Sequence, residues 1–472
     1  MRLIGWCPQS TASRVSRMLL LCGLLSLTVC AAAARAAVPL TVLSNDPYTN
    51  TTSFHQAEVE PASFAAGSTV VTAVQAGRFP DGGSSNIGWA TSTDGASTWK
   101  NGFLPGTTVY AKPAGPYAAV SDEAVAFDAK HGVWMIVMDG LDPNYAGIAA
   151  IVSRSTDGGL TWGNPVTVQA STTQNIDKTW IVCDSHASSP YYGNCYAEWD
   201  DMNHNQQLHM AVSKNGGLTW TQSTVPNAPA VIGGQPVVQP SGKVIMPIQQ
   251  AGNIVSFISS NGGSSYTGPS TIATLSFHTE AGSFRSYPLT SAGTDSTGKV
   301  YVAWMDCRFI ANCTANDIVY STSTDGTHWS AVTRIPIDTT TSGVDHFLPG
   351  LAVDPATSGA TTKLALTYYY YPVSNCTEST CQLDVGFVRS SNAGATWTAR
   401  LQLAGPMTMS RLPDTSLGYM IGDFVSTAFV TTSAGDAPTS FFESALAVSG
   451  KTCTLGDNSS CRQRTVAHKT AP

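Results

Sequence analysis

The chain has 472 residues, of which 42 are glycine and only 12% are charged, and its formal net charge is −7. This composition favours a turn-rich β protein over a helical one, and no long stretch repeats apolar residues at the helical period. Because there is no run of basic residues, nucleic acids and anionic membranes are not expected as partners.

Residues 1–36 have the layout of a secretory signal peptide. Three arginines precede an apolar run over residues 18–34, and small residues follow it. A membrane anchor is the alternative, but the run holds only about 17 residues and ends in alanines instead of a charged stop. We therefore expect a secreted protein, extracellular or periplasmic, whose mature part is a single domain over residues 37–472.

Eight of the eleven cysteines follow residue 36, and they form four local couples. Couples at short intervals in an exported chain predict disulfides that clamp loops, although spacing alone does not prove the pairing. A metal site would need histidine clusters or CxxC spacing, and the sequence has neither, so we expect no metal and no cofactor. The couples are Cys183/Cys195, Cys307/Cys313, Cys376/Cys381 and Cys453/Cys461.

One eight-residue pattern recurs along the chain, and it reads STDGGLTW at residues 155–162. Three short apolar strands are predicted before each copy and a fourth after it. Four antiparallel strands that repeat radially predict a β-propeller, in an all-β fold. The other copies are STDGASTW at 92–99, SKNGGLTW at 213–220, SSNGGSSY at 259–266, the shortened STDGTHW at 323–329 and SSNAGATW at 390–397.

This octet resembles the Asp-box, or BNR, repeat of the sialidase superfamily of propellers, where it forms the turn between the third and fourth strands of a blade. A short Asp or Asn side chain accepts hydrogen bonds from the amides of its own turn, and glycine adopts positive φ. Asn215, Asn261 and Asn392 replace the aspartate in three copies. Because an amide cannot act as a general acid, we expect Asp157 and its counterparts to be structural.

The number of blades has two interpretations. Six octets suggest six blades, with a decorated C-terminus. Three further strands are predicted after residue 415, however, and residues 38–46 resemble a fourth strand. If the N-terminal strand completes the C-terminal three, the ring has seven blades and no exposed edge, and this is the arrangement that we favour.

The functional site is expected at the end of the blades opposite the octets, because loops on a rigid scaffold carry function. Residues here include carboxylates, arginines and aromatic rings, a combination that suits carbohydrate, since paired acids serve as acid and base. Glu60 is a candidate catalytic acid, as is Asp81, and Asp122 is a reserve candidate. The first strands align at Glu60, Asp122, Gln235, Tyr287 and Leu348, with Asp177-Lys178 and Asp423 as looser equivalents. The candidate substrate-binding residues are Arg78, Arg285, Arg308, Gln235, Gln249, Tyr287, Glu198 and Asp306.

The sialidase resemblance implies two further roles. Asp81 lies in a loop similar to the one that carries the acid/base aspartate of the family. Tyr370 or Tyr371 is the implied tyrosine nucleophile.

The chain departs from the family at the substrate-carboxylate site. Glu60 stands where the first arginine of the family's triad is expected, Gln235 replaces a glutamate, and Gln249 or Gln250 replaces the second arginine. A carboxylate at that position would repel the carboxylate of sialic acid. An anion site would have to be assembled from the arginines at positions 78, 285 and 308.

Three functions therefore remain open. The first is a monomeric secreted glycoside hydrolase, related to sialidases but not necessarily specific for sialic acid. The second is a propeller that binds glycan or protein without catalysis. The third is a structural or assembly factor of the cell envelope.

Overall fold

A computed structural model describes residues 38–431, 439–447 and 451–469. The signal peptide predicted at residues 1–36 lies outside these ranges. The described residues form β-strands, joined by turns and four short 3-10 turns. The 3-10 turns span Met202–His204, Ala311–Cys313, Gly359–Thr361 and Met409–Arg411. No helix among the described residues is long and apolar enough to cross a membrane.

The first half of the chain contains a short opening strand and three sets of four antiparallel strands. The first two sets are joined by a single backbone pair, Ser84 with Val120. The strands are β1 (Thr41–Val42), β2 (Glu58–Ala66), β3 (Thr69–Arg78), β4 (Ser84–Ser92), β5 (Lys100–Phe103), β6 (Ala119–Asp128), β7 (Val133–Leu141), β8 (Gly147–Ser155), β9 (Val166–Ala170), β10 (Ile176–Cys183), β11 (Cys195–Asp201), β12 (Gln207–Ser213) and β13 (Thr221–Gln222).

The second half continues with three further sets of the same kind. In the first of these, the strand that begins the set is broken into two short pieces, which both pair with the next strand. The strands are β14 (Val231–Ile232), β15 (Val237–Val238), β16 (Val244–Gln250), β17 (Asn253–Ser259), β18 (Thr267–Thr274), β19 (Ser291–Thr294), β20 (Val300–Asp306), β21 (Asp317–Ser323), β22 (Thr333–Arg334), β23 (Asp345–Val353), β24 (Leu364–Tyr371), β25 (Gln382–Ser390) and β26 (Leu401–Thr408).

The last set joins the two ends of the chain. A short hairpin precedes it, formed by β27 (Asp414–Thr415) and β28 (Gly418–Tyr419), and then follow β29 (Thr427–Val430), β30 (Thr439–Ala447) and β31 (Gln463–Lys469). Strand β1 pairs with β31, Thr41 opposite Ala467, so that the sheet order is β1-β31-β30-β29. The predicted completion of the C-terminal strands by the N-terminal strand is confirmed.

Successive sets pack against each other through apolar side chains. Ile181 and Trp199 of the third set share a cluster with Met135 and Val152 of the second. Similar clusters join the first set to the second, the third to the fourth, the fourth to the fifth and the fifth to the sixth. Thr427 of the seventh set donates a hydrogen bond to a carbonyl of the sixth, 2.7 Å away. A further cluster joins the seventh set to the first.

Burial changes systematically across each set. The second strands, such as β7 and β24, are buried along their whole length, whereas the fourth strands, such as β5 and β13, are mostly exposed. A strand that is buried on both faces reads as a continuous apolar run, because both faces contact neighbouring sheets. In the first six sets the first and second strands therefore lie in the interior, and the fourth lies outside.

All six octets occupy the turn between the third and fourth strands of a set, as predicted. In the second set, Asp157 accepts hydrogen bonds from the amides of Leu160 and Thr161, at 3.1 and 2.9 Å. Asn215 and Asn392 accept the equivalent amide bond in their own turns. The octet is thus a structural turn in which Asp and Asn are interchangeable.

The four predicted cysteine couples are all disulfides in the structure. Three of them close loops of five to twelve residues along the chain: Cys183–Cys195, Cys307–Cys313 and Cys376–Cys381. The fourth, Cys453–Cys461, clamps the loop before β31.

Candidate functional site

The first strands of four sets carry a bulge near their beginning, where the pairing register with the second strand shifts. At each bulge one residue has a left-handed backbone: φ is 60° at Glu60, 51° at Asp122, 59° at Lys178 and 50° at Leu348. Left-handed non-glycine residues are uncommon and cost about 1–3 kcal/mol each. Since bulges redirect side chains, these positions are built to turn their side chains away from the regular strand direction.

Three of the four bulge residues are charged, and two of them belong to one buried ion network. The Lys178 ammonium lies 2.7 Å from Asp122 Oδ1 and 2.8 Å from Asp423 Oδ2. Arg285 donates two hydrogen bonds to the Asp423 carboxylate, at 2.9 and 2.6 Å. The network therefore ties together residues from the second, third and seventh sets and the loop that precedes the fifth.

Glu60 joins this network through the backbone and through a glutamine. The amide of Asp423 donates to Glu60 Oε1 at 3.1 Å, and Gln75 donates to Glu60 Oε2. Arg78 donates in turn to Gln75 Oε1 at 3.1 Å and to the Gly83 carbonyl at 3.0 Å. Predicted residues Glu60, Arg78, Asp122 and Arg285 thus belong to one connected site.

The carboxylates of this network have opposite protonation preferences. Burial raises the pKa of Glu60 to about 8, and the negative charge of Asp122 adds to the effect. Burial also opposes ionisation of Asp122, but Lys178 outweighs it and lowers the pKa of that carboxyl. Arg285 and Lys178 likewise hold the pKa of Asp423 low against its burial. At neutral pH the site pairs a protonated glutamic acid with ionised aspartates, an arrangement that separates proton donor from anion.

Four further acids lie buried nearby without adequate hydrogen bonding. Both carboxylate oxygens of Glu123, Glu198 and Asp200, and Oδ1 of Asp139, accept no hydrogen bond of good geometry. Burial raises the pKa of each of these carboxyl groups well above its ordinary value, and neighbouring carboxylates raise it further. The predicted ligand residue Glu198 therefore belongs to an acidic interior.

Access to the network is narrow. Glu60 is 1% exposed and Asp122 is 2% exposed. A cavity of about 10 Å³ lies beside Asp122 and Lys178 and is also lined by Trp180 and Gln235. That volume holds about one water molecule, so the cavity as it stands does not admit a sugar ring.

Other predicted residues lie around this site with different exposures. The ring of Tyr287 lies 5.9 Å from the Arg285 guanidinium. Gln235 accepts a hydrogen bond from the Ala292 amide at 3.3 Å. Asp81 is exposed in the loop between β3 and β4.

The predicted tyrosine nucleophile has other neighbours. The ring of Tyr370 lies 4.4 Å from the Arg400 guanidinium and 6.2 Å from the His346 ring. Burial, followed by the charge of Asp384, raises the pKa of Tyr370 to about 12, so its hydroxyl is protonated at neutral pH. The Tyr371 hydroxyl faces the Ala281 carbonyl at 3.4 Å. Neither tyrosine contacts a member of the ion network.

The remaining predicted residues lie in the fourth and fifth sets. Arg308 holds Asp306 through two hydrogen bonds of 2.8 and 2.7 Å, and Trp304 donates to the same carboxylate at 3.1 Å. Gln249 lies at the end of β16, and its side-chain oxygen is buried without a hydrogen-bond donor. Each of the three predicted arginines therefore already has a protein partner.

A wider pocket of about 530 Å³ opens among the loops of the fifth and sixth sets. Its polar lining includes His278, Thr314, Ser342, Ser374 and Asn375. This volume is in the range of small-molecule sites.

A buried carboxylate orients the imidazole of this pocket. His278 Nδ1 lies 3.1 Å from Asp345 Oδ2, and the Asn316 amide donates to Asp345 Oδ1 at 2.6 Å. The hydrogen bond to Asp345 raises the pKa of His278. His346, which follows Asp345 in the chain, is fully buried.

Sequence reasoning did not select Lys178, Asp423 and Gln75 as site residues. Lys178 and Asp423 were aligned only loosely, and neither precedes a proline as Glu60 does. The signal that could have found Lys178 is its charge, since it is the one cation among the aligned strand starts.

Comparisons with known proteins give low similarity. No protein-family model and no curated protein matches the chain. A protein of unknown function from Dyadobacter fermentans is 16% identical with a TM-score of 0.48, over 75% of this chain and 100% of its own. NanB sialidase from Streptococcus pneumoniae is 14% identical with a TM-score of 0.45, over 92% and 70%. Trypanosoma rangeli sialidase is 12% identical with a TM-score of 0.47, over 76% and 59%.

Proposed function

We propose that the chain is a secreted seven-bladed β-propeller that acts on glycans at the face where the first strands begin. Each four-stranded set would be one blade. The cyclic contacts of the sets, with the seventh packed on the first, support this arrangement. The pairing of β1 with β31 would then close the ring and leave it without an exposed edge.

We propose that the activity is glycoside hydrolysis, with Glu60 as proton donor and Asp122 as its ionised counterpart. The observation that carries this proposal is the split in protonation, since the pKa of Glu60 is raised to about 8 while that of Asp122 is lowered. A glycosidase needs one carboxyl group that is protonated and one that is ionised at the working pH. Access for a sugar ring requires the loops above the 10 Å³ cavity to move.

The proposed substrate is a neutral glycan rather than a sialic acid. Arg285 is committed to Asp423, Arg308 to Asp306, and Arg78 to Gln75 and a backbone carbonyl. An anionic sugar would meet paired arginines and an interior rich in carboxylates, and like charges repel.

The test is hydrolysis of arabinosyl, sialyl and uronate glycosides by the protein over residues 37–472. We expect turnover of the neutral arabinosyl substrate, loss of at least about 100-fold in kcat in Glu60→Gln, and a fall in kcat above about pH 8. The exposed Glu378→Gln is the matched control. Unchanged turnover in Glu60→Gln rejects Glu60 as the acid, and unchanged turnover in Asp81→Asn rejects the role that the sialidase resemblance implies for Asp81.

A second candidate function is glycan binding without catalysis, through the pocket at His278. The observation that favours it is accessibility, because this pocket has about 530 Å³ whereas Glu60 is 1% exposed. Its hydroxyl, amide and imidazole groups can exchange hydrogen bonds with sugar hydroxyls. Binding on a neutral glycan array with no turnover, and loss of that binding in His278→Ala, would favour this function. A protein partner in pull-downs without glycan affinity would favour an assembly role.

A further inference from the structure

Three carboxylates of the second and third sets have the spacing of cation ligands. Asp122, Asp139 and Asp177 each offer one oxygen, and these oxygens all lie within 4.8 Å of one another. Oxygen ligands lie about 2.3–2.6 Å from a bound Ca²⁺, so two ligands of one ion are separated by up to about 5 Å. The three oxygens can therefore contact a single ion.

The strands fix these carboxylates in place. Asp122 sits in the bulge of β6, Asp139 lies opposite Ser121 near the end of β7, and Asp177 lies in β10 beside the bulge residue Lys178. Ligands on paired strands keep their spacing without a ligand present, which lowers the cost of binding.

An independent observation is that nearby carboxylate oxygens are buried and accept no hydrogen bond of good geometry. Asp139 is 1% exposed, and its Oδ1 accepts no hydrogen bond. Asp200 is fully buried, and neither of its carboxylate oxygens accepts a hydrogen bond of good geometry. It lies directly opposite Asp177 in the β10–β11 ladder. Among the charges around Asp200, that of Asp177 acts on it most strongly. Buried anions of this kind need either a proton or a cation.

The protein's own cations do not balance this group. Lys178 contacts Asp122 and Asp423, and its nitrogen is 3.9 Å from Asp177, while Arg285 is held by Asp423. When all five are ionised, the carboxylates at positions 122, 139, 177, 200 and 423 exceed these two cations by three negative charges. Asp177 has 31% of its side chain exposed, so the group is connected to solvent.

We propose that Asp122, Asp139 and Asp177 bind a divalent cation, with Asp200 as a neighbouring anion that strengthens the site. All candidate ligands are carboxylate oxygens, which suits Ca²⁺. Mg²⁺ demands nearly ideal octahedral geometry at about 2.1 Å and dehydrates reluctantly, so we expect it to bind more weakly. The site shares Asp122 with the proposed hydrolytic pair, but its test measures ion binding by the free protein and does not depend on glycan hydrolysis.

The test uses the protein over residues 37–472, treated with EGTA and titrated with Ca²⁺ alone. We expect one Ca²⁺ per chain by calorimetry and a rise in Tm of at least about 2 °C, because a ligand that binds only the folded state stabilises it. Asp139→Asn should abolish both responses, whereas Asp142→Asn, in the loop after the same strand, should keep them. Absence of heat and of a Tm change in the unmodified chain would overturn the proposal and leave Lys178 as the counter-ion.

A second measurement covers the case in which Asp139→Asn does not fold. Trp180 lies on β10 and lines the cavity beside Asp122. Tb³⁺ bound at the site should emit when tryptophan is excited, and Ca²⁺ should quench that emission by displacement. Asp177→Asn should lose the signal. Emission that survives in Asp177→Asn, or that Ca²⁺ does not displace, would place the ion elsewhere and reject the site.

Discussion

The aspartates at the octet turns and those at the ends of the second strands have opposite electrostatic surroundings. At Asp157, burial opposes ionisation, but hydrogen bonds from Thr161 and its neighbours outweigh it and lower the pKa to about 2. Asp94, in the first octet, has a pKa lowered to about 2 chiefly by the Thr98 hydroxyl. Near the ends of β7 and β11, burial instead raises the pKa of Asp139 and Asp200 well above the ordinary value.

This difference distinguishes scaffold from candidate site. The hydrogen-bond donors of an octet aspartate lie within four residues of it, so the Asp or Asn side chain of every copy can be satisfied in the same way. A strand-start acid such as Asp122 depends on Lys178, which belongs to a different set. Hydrogen bonds within one turn recur in each octet, whereas an ion pair between different sets occurs once. We expect function at such a unique arrangement.

The largest predicted effect tests the dependence on long-range partners. Lys178→Met would leave Asp122 and Asp423 buried without their shared cation, and we expect the free energy of unfolding to fall by about 3–5 kcal/mol. Denaturant unfolding measures this loss. The matched control is Lys214→Met, in the octet at 213–220, where the lysine is exposed and a change below about 0.5 kcal/mol is expected. Equal losses of unfolding free energy in the two variants would contradict the proposed dependence of Asp122 and Asp423 on Lys178.

The next effect asks which part of the octet matters. Gly158 and Gly159 both have positive φ, of 81° and 83°. An added Cβ at Gly158 meets nothing within 4 Å, but at Gly159 it would lie 2.6 Å from a methyl group of Val71 in the first set. We expect Gly158→Ala to cost about 1–2 kcal/mol from backbone strain and Gly159→Ala about 2–4 kcal/mol from strain and overlap. Equal costs for the two variants would mean that the octet does not pack on its neighbour.

The pH dependence of stability tests the protonation state of Glu60. Folded Glu60 keeps its proton up to about pH 8, while the unfolded residue loses it near 4.5. The folded state thus binds more protons in this window, and stability must fall as pH rises, by at most about 1.4 kcal/mol per pH unit. Denaturation midpoints from pH 5 to 8 should fall less steeply in Glu60→Gln than in the unmodified chain or in Glu378→Gln. Parallel profiles would show that Glu60 is ionised in the fold.

The smallest effect is expected for the octet carboxylate itself. Asp157→Asn should change the free energy of unfolding by less than about 0.5 kcal/mol, because Asn215 already accepts the equivalent amide bond. Asp157→Ala removes the acceptor for Leu160 and Thr161 and should cost about 1 kcal/mol. A larger loss in Asp157→Asn than in Asp157→Ala would contradict the interpretation of the octet as a turn.

The strand pattern was predictable because its determinants are local. The octets marked the turns between third and fourth strands, and the apolar runs marked the strands themselves, as at β20 and β21. The disulfides were predictable for the same reason, since each joins cysteines that are close in sequence.

The site was predictable only in part. The structure brings Glu60, Arg78, Asp122 and Arg285 into one hydrogen-bonded network, and the repeat aligned two of them, Glu60 and Asp122, at strand starts. The pairing of Arg285 with Asp423 was not foreseeable, since these residues are distant in sequence and the sequence pattern suggested a free arginine for substrate. The same limit applies to the contact between His278 and Asp345, which are 67 residues apart in sequence.

The pairing of Thr41 with Ala467 has a consequence for how the protein is made. A chain that emerges N-terminus first exposes β1 long before β31 exists, so this strand must wait without its partner while the other sheets form. Closing a loop that spans nearly the whole chain is among the slowest steps of folding. We therefore expect β1 and β31 to pair last. A chain released before residue 463 would lack β31, the strand that pairs with β1.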